Sequence, residues 1–207
     1  YSPVAWLILV IFALLIGYDY ANVFDGQLHS QSLGNNLWNV SSAIYNSWMT
    51  GILKPILRNL YLYIPLITMG LMSREYQSGS VKLLYSSPIK NSSIILGKYL
   101  AMMCYGAALM SIIGLNVLFS WLTVDNFQIS MLLVGMLGIY LLILAYSAIG
   151  LFMSTLTAYQ VVAAVGTLAV LAVLNFIGDV GQGIDFVRDI TFWLSIYGRS
   201  ISFIEGL

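Results

Sequence analysis

The sequence predicts an all-helical fold that threads a membrane several times. Three observations carry that reading. Between residues 99 and 178 the chain holds one charged side chain, Asp125. Charged residues make up 8% of the whole chain, against about 25% in globular domains, and mean hydropathy is +0.90. The uncharged runs also have the length of spans. A helix needs roughly 20 apolar residues to cross about 30 Å of hydrocarbon. Residues 99–124 supply 26 and residues 126–178 supply 53, enough for one crossing and for two.

The apolar runs divide into five spans. Residues 4–18 form the first, short unless helix precedes it. Residues 55–73 form the second: Pro55 suits a first helical turn, and Pro65 inside it predicts a kink. Asn91 is the N-cap of the third, residues 91–123. The fourth covers 129–153, after which Ser154-Thr155-Leu156-Thr157 interrupts the apolar pattern. The fifth, 158–177, is ended by Gly178-Asp179. The opening Tyr1-Ser2-Pro3 and the stop at Leu207 read as the edges of a piece trimmed from a longer protein, with no signal peptide.

Basic residues set the orientation. Arg74, Lys82, Lys90 and Lys98 are four of the eight Lys and Arg, and share one short loop with a single acid, Glu75. Positive loops stay cytoplasmic, so residues 74–90 are inside and the first span starts inside. Residues 19–50, without Lys or Arg, and the Asp125 loop are then external. Residues 179–207, with four acids and two arginines, are external too. Lys54 and Arg58, at the outer end of the second span, either snorkel to headgroups or face a pore.

Two external stretches are too apolar for solvated coil. Residues 19–50 contain Phe24, Leu28, Trp38 and Trp48 and are expected to fold as an interfacial cap. Residues 179–207 carry Trp193, Tyr197 and Phe203 between glycines, which suits short interfacial or re-entrant helices.

Several chemistries are excluded. Eight basic and eight acidic residues cancel, which disfavours nucleic acid as a partner. His29 is the single histidine and Cys104 the single cysteine, so no transition-metal ligand set is present. Cys104 reads as a packing residue. No phosphate-cradling P-loop occurs, so no cofactor is expected on this chain. The spans as drawn hold no acid or histidine, which argues against a proton relay. No catalytic group is in view, and the chain does not read as an enzyme.

The informative segment is the basic loop. Val81, Leu84, Tyr85 and Pro88 share one face of a short helix, with Gly79, Lys82 and Ser86 opposite. Glu75 near its start meets the positive end of the helix dipole, and Arg74 is placed to pair with Glu75 or with a partner. Gly79 permits a sharp turn and Pro88 fixes the exit. On pattern alone, a helix resting on lipid headgroups explains the segment equally well.

The run Arg74-Glu75, Gly79-Ser80, Leu84, Ser87-Pro88, followed by Gly97-Lys98, resembles the signature of ABC-2-type transporter permeases. Ser80 stands where that family more often has Thr. The resemblance implies a permease subunit of an ATP-binding-cassette exporter in the bacterial inner (plasma) membrane. It implies that Arg74, Glu75, Gly79, Ser80, Lys82, Leu84, Ser87 and Pro88 dock a cytoplasmic ATPase subunit, which holds the ATP and Mg. It further implies a second permease subunit, as homodimer or pseudo-dimer, meeting the first across the first and fifth spans. A sixth span and an N-terminal amphipathic helix of the family are absent from this stretch. The tail Trp193-Leu194-Ser195-Ile196-Tyr197-Gly198-Arg199-Ser200 looks like the gliding-motility-associated (GldF-like) branch. The alternative function is a non-transporting membrane scaffold driven by the same ATPase cycle. Close helix packing in lipid uses small residues, and the spans offer Gly97 with Ala101, Gly135 with Gly138, Ala145 with Ala148, and Ala163 with Gly166. Ordinary packing within one subunit accounts for most of these.

Overall fold

The computed structural model describes residues 3–32, 44, 51–86, 90–123 and 129–180. Among the described residues the chain is helical with no strand, in seven helices. They are α1 (Pro3–Ser32), α2 (Leu53–Thr68), α3 (Ser73–Ser78), α4 (Val81–Ser86), α5 (Asn91–Thr123), α6 (Ile129–Leu156) and α7 (Gln160–Val180).

Three of these are long and apolar enough to cross a membrane: Ala5–Gly26, Asn91–Thr123 and Leu132–Leu156. Two expected spans are shorter. α2 has 16 residues and ends at Thr68, not at 73, because the chain turns over Met69–Leu71, where Met69 N donates to Pro65 O and Leu71 N to Thr68 O. The apolar part of α7 is Gln160–Asn175. α6 runs on past 153 to Leu156, so Ser154 lies in its last turn.

α1 departs most from expectation. It continues past Tyr18 to Ser32, so the first half of the supposed cap is helix. Asp19 does not end the helix, because one acid with no proline does not stop it. Ile8, Phe12, Ile16 and Tyr20 recur every fourth residue and are buried. Trp6, Val10, Leu14 and Tyr18 recur with the same period on another face and are 57–68% exposed. An apolar helix with one face uncovered suits contact with lipid. This also corrects the count of intramembrane acids, since Asp19 and Asp25 fall within Ala5–Gly26. Residues 33–43, 45–50 and 181–207, and the side chains of Lys54 and Arg58, lie outside the described residues.

The described parts of Tyr1–Asn59 and Ala108–Tyr140 form one compact unit, and those of Leu60–Ala107 and Leu141–Gly198 another. In the first, Tyr20 joins α1 to α5. Its hydroxyl and Ser120 Oγ share a buried hydrogen bond of 2.7 Å. Its ring stacks on Phe24 at 5.7 Å and meets Phe119 edge-on at 6.1 Å. In lipid such polar contacts between helices replace the hydrophobic drive that water would give.

The second unit holds α6 against α7 through a buried hydrogen bond, from the Tyr146 hydroxyl to Asn175 Oδ1 at 2.9 Å. Of the expected small-residue pairs, Gly135, Gly138 and Ala163 are buried, while Gly97 and Ala148 are exposed. A Cβ on Gly166 would meet Met153 Cε at 3.2 Å. Outside those pairs, Gly150 of α6 lies against Thr68 of α2. Cys104, read as a packing residue, is exposed.

Candidate functional site

The segment between α2 and α5 is two helices, not one. α3 and α4 have six residues each and meet at Gly79. Gly79 has φ of 74°, in the left-handed region where a side chain strains the backbone. Its N–H donates to Tyr76 O and closes α3. Its carbonyl accepts from Lys82 N at 3.2 Å and so begins α4. The helix expected from the spacing of Val81, Leu84 and Tyr85 is α4; Glu75, expected near its start, lies instead on the separate helix α3 before the turn.

Six residues are too few to hold a helix alone, since the nucleating turn costs more than it returns. α3 is held from two neighbours. Ser154 of α6 holds its N-terminus: Met72 N and Ser73 N donate to Ser154 Oγ at 3.0 and 3.1 Å, and Ser154 Oγ donates to Met69 O at 3.1 Å. Met72, the N-cap residue, has no side-chain cap of its own, so a residue 82 positions away supplies one. The Ser73 hydroxyl also donates to Met69 O. Ser73 and Ser154 are both fully buried.

Lys98 of α5 holds the other flank. Its ammonium donates to Leu71 O and to Glu75 Oε1, the latter at 2.5 Å. Glu75 therefore pairs with Lys98, and of the two expected roles for Arg74, pairing with Glu75 or with a partner, the first is taken by Lys98. Arg74 is exposed. Glu75 sits in the first turn of α3, where its charge suits the dipole. Its second oxygen, Oε2, is enclosed with no hydrogen-bond partner among the described residues. A last tie runs to α7, where Gln160 Nε2 donates to Gln77 Oε1 at 3.4 Å.

The expected docking residues thus fall as follows. Arg74 and Glu75 lie on α3, Gly79 and Ser80 at the turn, and Lys82 and Leu84 on α4. Ser80 Oγ shares a hydrogen bond with Ser78 Oγ, and Lys82 is exposed. Ser87, Pro88 and the side chain of Leu84 lie outside the described residues. Ser154 was visible in the sequence only as a break in the fourth span. Lys98 was visible as one of the four basic residues that set the orientation and as part of a motif, but not as the partner of Glu75. The hydroxyl at the end of that apolar run was the one signal for Ser154, and it does not name the groups it caps.

Among the described residues no three His, Cys, Asp or Glu side chains come together. What the segment offers is an exposed pair of short helices with a pinned base. The family model described as ABC-2 family transporter protein matches residues 1–184. That match is to the family and singles out no branch within it. No curated protein matches the chain, and no solved structure does.

Proposed function

Because the chain belongs to the ABC-2 transporter family, we propose that it is the permease subunit of an ATP-binding-cassette exporter and that residues 74–88 receive the motion of the ATPase. Family membership makes the chain a multi-pass membrane component of an ABC transporter, with an ABC ATPase subunit as its partner. The finer assignment is ours. The α3–α4 pair lies on the cytoplasmic side, where Arg74, Lys82, Lys90 and Lys98 gather. Arg74, Gly79, Ser80, Lys82, Leu84, Ser87 and Pro88 form the docking surface, and Glu75, turned inward to Lys98, holds α3 in place to present it. ATP and Mg reside in the ATPase, and this chain supplies no catalytic group.

The observation that carries the reading is the pinned base of α3. A loose loop would absorb a push from a partner. A short helix fixed to α6 by Ser154 and to α5 by Lys98 passes it on. The uncovered apolar faces of α1 and α7, with Trp6, Leu14, Val161 and Val165 more than half exposed, support a second permease copy meeting these helices, with lipid covering what remains. The membrane is the bacterial inner membrane in this reading.

The test is to purify the full-length chain, identify the ATPase that comes with it, and measure its hydrolysis in vesicles. Glu75→Lys and Gly79→Val should both uncouple hydrolysis from the permease while leaving the chain inserted. ATPase binding and stimulation unchanged in both variants would remove the coupling assignment. Stimulated hydrolysis without flux of any cargo would favour the scaffold role instead.

A further inference from the structure

We infer that Ser154 is a positioning residue that makes α3 move as one body with the C-terminal end of α6. The inference rests on the reading of residues 74–88 as the coupling segment.

The hydroxyl of Ser154 has one proton to give and two lone pairs. All are used on α3 and the turn before it: Met72 N and Ser73 N donate to it, and it donates to Met69 O. Ser154 is fully buried, so water does not compete for those groups. Two further ties lie on the same flank. Gln160, the first residue of α7 and four residues past the end of α6, reaches Gln77 of α3. Thr68, the last residue of α2, fills the space beside Gly150, one turn before Ser154.

The other routes from α3 into the spans are softer. The covalent link to α2 runs through the turn at Met69–Met72, which is not a rod. The link to α5 is Lys98 with Glu75, two flexible side chains that are 19% and 26% exposed. A displacement of α3 therefore enters α6 first, and through α6 the buried Tyr146–Asn175 contact with α7.

The test uses the full-length permease with its ATPase in liposomes, in a Cys104→Ala background. Gln77→Cys and Gln160→Cys are joined by a short bifunctional thiol reagent; neither is among the proposed docking residues. If α3 moves together with the corner where α6 passes into α7, bridging leaves ATP-driven stimulation unchanged. If the bridge stops turnover, α3 swings against that corner and the inference is overturned. Ser154→Ala should lower stimulation about ten-fold, the scale of losing one to two buried hydrogen bonds, at unchanged affinity for the ATPase. The bridge should then restore it. Stimulation by Ser154→Ala equal to the parent overturns the inference. Should Ser154→Ala fail to fold, the bridge in the parent chain decides alone. A parent chain that recruits no ATPase overturns the coupling reading and the inference with it.

Discussion

Thr68 stands where a side chain on Gly150 would have to go. A Cβ on Gly150 would lie 2.2 Å from Thr68 Oγ1, 2.7 Å from its Cβ and 2.9 Å from its Cγ2. Thr68 cannot yield easily, because it is fully buried and its hydroxyl donates to Ile64 O at 2.9 Å. The contact sets how closely α2 and α6 pack at the base of the α3 segment. Gly150→Ala should therefore destabilise the protein by about 1–3 kcal/mol, the range for overpacking. Thermal unfolding in detergent should report it as a lower midpoint. Thr68→Gly in the same chain removes the clashing atoms, so the double variant should be more stable than the sum of the two single changes. Strict additivity would show that the helices part freely.

The Lys98–Glu75 pair should be worth modest energy. Both groups keep some solvent, with 19% and 26% exposure, and exposed ion pairs give about 0–1 kcal/mol. Lys98 also donates to Leu71 O, so Lys98→Met strands two acceptors. We expect a loss of about 1–2 kcal/mol for Lys98→Met, and less for Glu75→Gln, which can still accept. A double-mutant cycle should return a positive coupling. Equal losses for both single variants and a coupling of zero would mean that the two side chains act independently.

Much of this was legible from one chain, and the gaps have physical causes. Charge depletion between 99 and 178 marks α5, α6 and α7, because no soluble surface tolerates it. The true length of α1 was legible too, since the stripe Ile8, Phe12, Ile16, Tyr20 continues in step to Phe24, and Asp19 only masked it. Gly79 announced a turn, but not that a separate short helix, α3, would precede it. That depends on its left-handed backbone, which many glycines never adopt. The partners of Glu75, Thr68 and Met72 were not legible. Lys98, Gly150 and Ser154 come from other helices, and a single sequence records which residues are small or polar but not which face each other.

Gly79 should tolerate Asn better than Val. A Cβ there meets nothing within 4 Å, so the cost of substitution is backbone strain alone. Asn visits the left-handed region at low cost, while most residues pay about 1–2 kcal/mol and β-branched ones fit worst. Gly79→Asn should retain most ATPase stimulation and Gly79→Val should lose most of it, with similar insertion. Similar loss in both would point to contact with a partner at that position, not to the turn.

Orientation is testable with single cysteines in a Cys104→Ala background. Ser30 on α1 and Asp125 between α5 and α6 should react with a membrane-impermeant thiol reagent from outside. Ser80, at the α3–α4 turn, should react only after the inner face is exposed. The expectation comes from the gathering of Arg74, Lys82, Lys90 and Lys98 around that turn. Ser30 and Ser80 reacting from the same face would reverse the assignment and place the α3–α4 pair away from any ATPase.

The Tyr146–Asn175 bond offers a measure of what a buried polar contact contributes within this membrane fold. The Tyr146 hydroxyl donates to Asn175 Oδ1 at 2.9 Å, and Asn175 Nδ2 donates to Leu171 O at 2.8 Å. In a water-soluble core, Tyr146→Phe would strand the oxygen at about 1–3 kcal/mol. Between membrane helices such bonds average about 0.6 kcal/mol, because separated helices find other partners. The packing of the Tyr146 ring survives in Phe, so the hydroxyl alone is tested. We expect Tyr146→Phe to cost about 0.5–1 kcal/mol. Asn175→Leu should cost less than its loss of hydrogen bonds suggests, because the apolar replacement brings no polar group of its own to leave unpaired. The double variant Tyr146→Phe with Asn175→Leu removes both polar partners together and should lie near the parent in unfolding midpoint. A double variant markedly less stable than either single one would show that the polar pair contributes to stability beyond satisfying itself.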